Sequence, residues 1–278
     1  MGVSTFIRFQ DDQGYSQYGE PALEDLAGNL LGATVDVLEG NPFDGLRRTG
    51  LQGKVGKVLC PLTSTPIILC IGLNYKQHAE ETGLSVTPNP VLFTKSPTAL
   101  SGPYDDVHVH PDATPMLDYE GELVVVIGKE AKNVSDEDAL DYVLGYTMGN
   151  DISARNFQLP AVSGGQFCYA KSFDTFAPIG PAITTTEAIP DPQDLAYITR
   201  VNGEHRQATP TNDMIWTVRQ IIAHLSRGTT LKEGTVIMTG TPSGVGLFMK
   251  PKAFLRDQDI VEVVMEGYGG LRNKIVFE

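Results

Sequence analysis

The 278-residue sequence has few cysteines, a deficit of positive charge and no long apolar run, and each shortage excludes a class of protein. The three cysteines form no metal-binding spacing and cannot all pair, which favours a reducing compartment. Lysine and arginine total 21 against 34 acidic residues, a net charge of −13, whereas nucleic-acid binding needs a basic face. We therefore expect no nucleic-acid partner.

Membrane insertion and export are not indicated either. No apolar run approaches the roughly 18 residues of a membrane span. The segment before Asp11 and Asp12 lacks the apolar core of a signal peptide, and these two acids are unlike a transit peptide. We therefore expect a cytoplasmic protein without a membrane partner.

The composition, with 41% hydrophobic and 20% charged residues, is ordinary for a globular protein. The length fits one large domain or one domain with a small appendage. Residues 1–65 alternate short apolar pieces with glycine turns and carry no catalytic constellation, and Pro61 and Pro66 mark a boundary. We predict a small β-rich amino-terminal region over residues 1–65 and a catalytic domain over residues 66–278.

The most informative stretch, residues 117–128, combines two glutamates with an apolar, β-branched run that predicts a buried strand. Glu120 and Glu122 stand at i and i+2, so alternation along a strand places both carboxylates on one face. With Asp151, further along the chain, they form a hard oxygen ligand set suited to Mg²⁺, Mn²⁺ or Ca²⁺. The alternative is a polar strand face in solvent and an unrelated turn aspartate.

A second constellation follows a predicted buried strand. Asn74 can cap a short helix over residues 75–81, which Gly83 would end. His78 and Glu81 then share one helical face, where the carboxylate raises the basicity of the imidazole and makes it a candidate general base. A solvent-exposed pair on a surface helix is the alternative.

Three further features concern the rest of the chain. Lys171 lies among apolar neighbours, so its charge needs a partner, which an acidic metal site or a bound carboxylate would supply. The glycine loop, residues 239–246, exposes backbone N–H groups and the Thr241 hydroxyl to an anion but lacks the ending of a nucleotide P-loop. A helix that Thr211 and Asn212 are predicted to cap, and that Gly228 is predicted to stop, carries one apolar stripe and belongs to the core.

In this order, these motifs resemble the fumarylacetoacetate hydrolase family. The resemblance covers the predicted catalytic domain, whereas the amino-terminal region matches as a variable part. The matching pieces are IGLNY at residues 71–75 with His78 and Glu81, DYEGEL at 118–123, GNDISAR at 149–155, KSFDT at 171–175, NGE at 202–204, TGTPSGVG at 239–246 and LRN at 271–273.

The resemblance implies an α+β fold, a mixed β-roll of layered sheets with few helices, assembled as a homodimer. It implies Mg²⁺ or Mn²⁺, with Ca²⁺ as another occupant, held by Glu120, Glu122 and Asp151. It also implies that Lys171 lies beside the metal and the substrate oxygens.

The same resemblance assigns the remaining site residues. His78 and Glu81 correspond to a water-activating dyad. The implied substrate contacts are Arg155, Gln158, Thr241 and Gly240. Two departures from the family pattern, Asn156 and Phe167, leave the identity of the substrate open.

The implied protein is a metal-dependent hydrolase or lyase acting on a C–C bond of a small anionic 2-oxo or 2,4-dioxo acid. Our leading expectation is acylpyruvate-type hydrolysis, in which the metal and Lys171 stabilise the enolate left at C3. Decarboxylation or keto–enol tautomerisation of oxaloacetate would use the same enolate. Hydration or isomerisation of an unsaturated 2-oxo acid is a further alternative, and a degenerate small-molecule-binding protein is the non-enzyme alternative.

Overall fold

The computed structural model of the chain describes residues 2–278, which fold into mixed sheets with few helices. The strands are β1 Thr5–Gln10, β2 Ser16–Glu20, β3 Thr34–Asn41, β4 Gly45–Lys54, β5 Lys57–Leu59, β6 Ile68–Gly72, β7 Val91–Lys95, β8 Leu100–Ser101, β9 Val107–Val109, β10 Leu117–Asp118, β11 Gly121–Ile127, β12 Val143–Asn150, β13 Ser153–Ala154, β14 Ala177–Thr185, β15 Ala196–Val201, β16 Glu204–Pro210, β17 Val236–Met238, β18 Ile260–Met265 and β19 Gly269–Phe277. The helices are α1 Leu23–Ala27, α2 Lys76–Thr82, α3 Pro160–Ser163, α4 Cys168–Lys171 and α5 Val218–Ser226. Short 3-10 turns span Pro97–Ala99, Pro111–Met116, Ala139–Tyr142, Arg155–Phe157 and Thr211–Asp213.

This architecture confirms the expected mixed β fold with few helices, while its description as a roll of layered sheets stays a prediction. No helix within residues 2–278 is long and apolar enough to cross a bilayer.

The largest sheet has the strand order β4-β3-β2-β1-β14-β12-β11-β17-β6-β7, with β5 also beside β1 and β8 beside β14. Its neighbours pair antiparallel except β6 with β17 and β8 with β14, which are parallel. A second sheet runs β16-β15-β18-β19-β9, and β10 pairs with β13. The predicted site motifs lie on the β7, β11, β12 side of the large sheet.

The amino-terminal strands extend this large sheet. Strand β1 pairs antiparallel with β14, with Thr5 opposite Thr184, and β2, β3 and β4 follow outward from it. Phe6 and Leu38 pack in one apolar cluster with Ile68 from the catalytic part. Residues 1–65 are β-rich in this arrangement, and a domain boundary at residue 65 stays a prediction.

Strand β11 lies between β12 and β17 and is buried at every position. Its alternate residues face two different apolar clusters: Leu123 and Val125 pack on one side, and Val124 and Val126 on the other. Burying each such side chain contributes roughly 1.5–3 kcal/mol, and a one-residue slip would exchange the two faces. The predicted buried strand is therefore confirmed, and its register fixes the position of Glu122.

The predicted cap at Asn74 is wrong, although helix α2 itself forms and Gly83 ends it with a left-handed φ of 67°. Tyr75 is the first flanking residue and gives no side-chain cap. The Asn74 amide instead donates to the Thr239 carbonyl (2.7 Å) and the Trp216 carbonyl (3.1 Å). In this position the Asn74 amide meets the hydrogen-bonding needs of backbone groups in two other chain segments, which is more than it could do as the cap of a two-turn helix.

The predicted start of the long helix at Thr211 is also wrong. Residues 211–213 form a separate 3-10 turn, and α5 begins at Val218. Thr217 caps it, because the Thr217 hydroxyl accepts the Gln220 N–H while the Gln220 side chain accepts the Thr217 N–H. This reciprocal capping box satisfies two otherwise unpaired donors and sets the true start.

Candidate active site and metal centre

Three carboxylates meet beside the amino end of β11. Glu120 precedes this strand, Glu122 lies in it, and Asp151 follows directly after β12. Because β11 and β12 are antiparallel neighbours, the chain returns to the same edge, where the Asp151 N–H donates to the Glu120 carbonyl at 2.8 Å. All three side chains are buried, and their oxygens lie within 4.8 Å of one another. The acidic cluster (Glu120, Glu122 and Asp151) is therefore a candidate metal centre.

Lys171 reaches the acidic cluster from helix α4. Its Nζ lies 2.7 Å from Glu120 Oε2 and 2.6 Å from Asp151 Oδ2. Burial alone would lower the pKa of Lys171, but the Asp151 and Glu120 charges outweigh burial and raise it. The predicted need of this lysine for a partner charge is met by two carboxylates.

Lys95, which is not among the predicted site residues, also contacts the cluster. Its ammonium pairs with Asp151 Oδ1 and donates to the Ile152 carbonyl at 3.1 Å, and its side chain is wholly buried. A signal for it was present, since alternation along β7 places Lys95 on the same face as Phe93 and Val91. Phe93 and Val91 line the pocket beside the acidic cluster that is described below.

Arg155 also contacts the cluster. Its Nε lies 2.9 Å from Asp118 Oδ2, its Nη2 lies 2.7 Å from Glu120 Oε1, and its Nη1 donates to Gln158 Oε1 at 2.9 Å. Arg155 and Gln158, predicted as substrate contacts, are thus bonded to each other. Asp118 was missed, although alternation places it in one series with Glu120 and Glu122.

The charges of this centre leave room for a cation. Four buried carboxylates (Asp118, Glu120, Glu122 and Asp151) face three buried cations (Lys95, Arg155 and Lys171). The excess of one negative charge, in a site of hard oxygen donors, fits a divalent ion.

The individual pKa values show where that excess lies. Glu122 accepts a hydrogen bond from the Gly240 N–H at 2.7 Å rather than from a cation. Burial and the nearby Asp151 and Glu120 charges raise the pKa of Glu122 well above its usual range. Burial would also raise the pKa of Glu120, but the Lys171 and Arg155 charges outweigh it and lower that pKa to about 2. Without a bound cation this raised pKa favours the protonated form of Glu122, so Glu122 is the carboxylate whose ionisation a bound cation would stabilise most.

The dyad (His78 and Glu81) is assembled on helix α2 as its spacing predicts. His78 Nδ1 lies 2.8 Å from Glu81 Oε2, and Glu81 Oε1 accepts the Gly244 N–H at 3.0 Å. The His78 ring packs edge-on against Phe248, with centroids 5.9 Å apart. Both partners of the dyad are thus contacted by the segment that contains and follows the glycine loop.

A pocket of about 390 Å³ joins the dyad to the acidic cluster. Its polar lining includes the predicted site residues His78, Glu120, Arg155, Gln158, Lys171 and Thr241 together with Thr82, Ser85 and Thr87, and its apolar lining includes Leu73, Leu84, Val91, Phe93, Phe167, Leu247 and Phe248. The Thr241 hydroxyl donates to the Gly121 carbonyl at 3.1 Å. The Gly240 N–H is directed to Glu122. The pocket therefore has one charged end and one apolar wall.

A larger groove, of about 900 Å³, lies elsewhere, between residues 26–31 and strands β18 and β19. Its lining contains none of the predicted site residues. The smaller pocket is the candidate active site, because nucleophile-activating, cationic and metal-ligating groups converge there.

The comparisons with known proteins agree with the motifs. The family model described as fumarylacetoacetate hydrolase, C-terminal, matches residues 67–276. A mitochondrial oxaloacetate tautomerase of Xenopus laevis is 41% identical over 219 residues, which cover 79% of this chain and 68% of that protein. An oxaloacetate tautomerase of Bacillus subtilis is 46% identical over 210 residues, or 75% of this chain and 69% of that protein.

A solved structure extends the similarity to the amino-terminal region. The crystal structure of a 2-hydroxyhepta-2,4-diene-1,7-dioate isomerase from Mycobacterium marinum is 34% identical and covers 99% of both chains, with a TM-score of 0.83. The amino-terminal strands and the site-bearing part therefore occur together in a known structure of the same arrangement.

Proposed function

The chain belongs to the fumarylacetoacetate hydrolase family, and on that premise we propose that it catalyses keto–enol tautomerisation of oxaloacetate. The observation that carries the proposal is the identity of 41–46% with proteins named oxaloacetate tautomerase, over the part of the chain that holds the site. The sequence leaves tautomerisation open as an alternative to acylpyruvate hydrolysis, and the names of these relatives favour tautomerisation.

The pocket offers the groups that a proton transfer at C3 of a 2-oxo acid requires. With Nδ1–H donating to Glu81, the Nε2 lone pair of His78 is free to accept the C3 proton. The electron pair of that C–H bond forms the C2–C3 double bond, and the π pair of the carbonyl moves to the 2-oxo oxygen, where the buried ammonium of Lys171 stabilises the negative charge. Protonation of this oxygen gives the enol, and the reverse sequence gives the ketone.

The acidic cluster would hold Mg²⁺ or Mn²⁺. When bound, such an ion supplies Lewis-acid polarisation of the 2-oxo group. The chain's own residues provide the orientation: Arg155 and Gln158 line the charged end, and Thr241 lies opposite with its hydroxyl bound to the Gly121 carbonyl. A dicarboxylate substrate would be held by Lys171 and the remaining N–H groups of Arg155.

Acylpyruvate hydrolysis is the second candidate, and the apolar wall of the pocket favours it. Oxaloacetate carries a charged carboxylate at C4 and no apolar group, whereas Val91, Phe93, Phe167 and Phe248 line the pocket. In this reaction the dyad would activate water for attack on a C4 carbonyl, and cleavage would yield pyruvate and a carboxylic acid.

A substrate panel tests the proposal. Purified protein with Mg²⁺ is given oxaloacetate and, separately, 2,4-dioxopentanoate, and enol absorbance, CO₂ and pyruvate are each followed. We expect faster enol–ketone interconversion without pyruvate from oxaloacetate, and loss of the effect in Lys171→Met. Release of pyruvate from the dioxo acid without tautomerisation would favour the second candidate, and CO₂ release would favour decarboxylation.

Oligomeric state and compartment remain predictions. We propose that the protein forms a homodimer. We also propose that it lies in a reducing compartment, the cytosol, which is in keeping with its three unpaired cysteines. The relative from Xenopus is named mitochondrial and the one from Bacillus is bacterial, so the compartment differs among relatives. Light scattering at micromolar concentration would test the dimer, and fractionation would test the location.

A further inference from the structure

Asp118 has no role in the proton transfer proposed above, yet it is fully buried. It is hydrogen bonded both to Arg155, beside the acidic cluster, and to residues 246 and 247, near the dyad. We propose that Asp118 is a positioning residue that fixes the dyad-facing segment, residues 244–248, relative to Arg155 and the acidic cluster. The inference builds on the proposed function, because it assigns the geometry that the proposed reaction needs.

The contacts of Asp118 saturate both of its oxygens. Oδ1 accepts the Gly246 N–H at 2.8 Å and the Tyr119 N–H at 3.0 Å. Oδ2 accepts the Leu247 N–H at 3.0 Å and the Arg155 Nε–H at 2.9 Å. A buried carboxylate is tolerated when donors surround it in this way, and each donor loses its acceptor if the carboxylate is removed.

One side of this arrangement controls the dyad. Residues 246 and 247, which donate to Asp118, lie between Gly244, whose N–H binds Glu81, and Phe248, whose ring packs against His78. A Cβ at Gly246 would lie 2.7 Å from Asp118 Oδ1 and 2.3 Å from the Ala253 carbonyl, so glycine alone allows this close approach. The position of the dyad therefore depends on where Asp118 holds the segment.

The other side of the arrangement controls the acidic cluster. The guanidinium that donates to Asp118 also lies 2.7 Å from Glu120 Oε1, so Asp118 orients the cation that orients a predicted metal ligand. Among the residues described here, Asp118 is the side chain that hydrogen bonds both this guanidinium and the dyad-facing segment. If Asp118 only neutralised Arg155, loss of its charge would leave the segment in place.

The Asp118→Asn variant separates these two roles, because it keeps the shape but turns one acceptor into a donor that faces N–H groups. In hydrogen-exchange mass spectrometry we expect the amides of Gly246 and Leu247 to exchange about tenfold faster or more, with β11 and β12 unchanged. With Mg²⁺ present, we expect kcat for oxaloacetate tautomerisation to fall on the order of 10²-fold, because the dyad is displaced, and KM to rise, because Arg155 loses the acceptor that orients it.

A control aspartate distinguishes a local effect from a general one. Asp259 also accepts a backbone N–H, that of Arg256 at 2.7 Å, but does not line the pocket. Asp259→Asn should leave both the exchange of residues 244–248 and kcat unchanged. Wild-type exchange at Gly246 and Leu247 in Asp118→Asn, whatever its kcat, would overturn the proposal.

A second variant keeps the test valid if Asp118→Asn does not fold. Gly246→Ala displaces the segment and leaves all charges of the acidic cluster in place. We expect faster exchange over residues 244–248 and a similar fall in kcat, with unchanged Mn²⁺ affinity; faster exchange with wild-type kcat would contradict the proposal. Hydrogen exchange is measured without substrate and does not depend on the reaction. If the wild-type protein lacks tautomerase activity, the proposed function is refuted, but the exchange result still decides the role of Asp118.

Discussion

The acidic cluster and the dyad share one pocket but are held in different ways. The cluster lies where the central strands β11 and β12 begin and end, and its three carboxylates contact Lys95, Lys171, Arg155 and a backbone N–H within the buried core. The dyad lies on the seven-residue helix α2 and is held by one N–H, from Gly244, and one ring, of Phe248. The acidic cluster is therefore held by several buried ion pairs, and the dyad by few contacts.

This difference indicates how one family can support several reactions. In the proposed function, the core-bound cluster would bind a 2-oxo acid and stabilise charge on its oxygen, which is the step that enolate reactions share. Helix α2 and the segments that contact it would then determine which group attacks the substrate or accepts its proton. Changes in α2 or in residues 244–248 can thus alter the reaction without disturbing the cluster.

Removal of a cluster carboxylate should have the largest effect. Glu120→Ala should abolish Mn²⁺ binding in an isothermal titration and lower turnover by more than about 10³-fold, since Lewis-acid stabilisation contributes several kcal/mol. The exposed acid Glu266, changed to alanine, provides the control and should bind Mn²⁺ as the wild-type protein does. Unchanged Mn²⁺ affinity in Glu120→Ala would refute the assignment of the cluster.

Lys171→Met should come next, and it should reduce turnover far more than folding. We expect a rate loss of about 10²-fold or more, because a donor to the developing oxyanion is gone. In this variant Asp151 would still pair with Lys95, and Glu120 would still pair with Arg155. The free energy of unfolding in urea should therefore fall by less than the roughly 3–5 kcal/mol that breaking an isolated buried ion pair costs. Near-normal turnover would assign Lys171 a purely structural role.

Glu81→Gln should have a moderate effect that is confined to the dyad. The glutamine keeps the shape and can still accept the Gly244 N–H, but it no longer offers a carboxylate to His78 Nδ1. We expect turnover to fall on the order of tenfold with unchanged Mn²⁺ affinity. A parallel loss of metal affinity would show that the two regions are not independent.

The smallest effect should come from the apolar wall. Val91→Ala removes two methyl groups, each worth up to about 0.8 kcal/mol when buried, from a residue that is 37% exposed. We expect kcat/KM for a longer-chain acylpyruvate to fall about threefold, with oxaloacetate turnover unchanged. Equal losses for both substrates would mean that the wall does not select acyl groups.

The acidic cluster could be predicted from the sequence because Glu120 and Glu122 follow the alternation of one strand. The next strand, β12, runs antiparallel to it and brings Asp151 back to the same end. Glu120 and Glu122 at i and i+2, and a lysine in an apolar stretch, each indicate a definite arrangement. Lys95 and Asp118 follow the same alternation, but Lys95 closes an apolar run and Asp118 lies ahead of one, and charged residues at such positions usually meet solvent. Their burial depends on packing between distant segments, which local periodicity does not contain.

The wrong helix starts have a related cause. Asn74 and Thr211 are good capping residues by type, but both are occupied by tertiary contacts: Asn74 bonds Trp216 and Thr239, and the Thr211 hydroxyl accepts the Leu195 N–H at 3.0 Å. Capping preferences amount to about 1 kcal/mol, and buried hydrogen bonds to backbone groups can exceed that. The capping box at Thr217 was the stronger local signal.

The most direct test of the division between binding and proton transfer is one preparation of His78→Ala, assayed twice. Mn²⁺ affinity is measured by titration, and the enol-to-ketone rate of oxaloacetate is followed by enol absorbance in the same buffer. We predict that the affinity stays within about twofold of wild type while the rate falls on the order of 10²-fold, as for loss of a general base. A wild-type rate, or a loss of metal affinity equal to the loss of rate, would contradict this division.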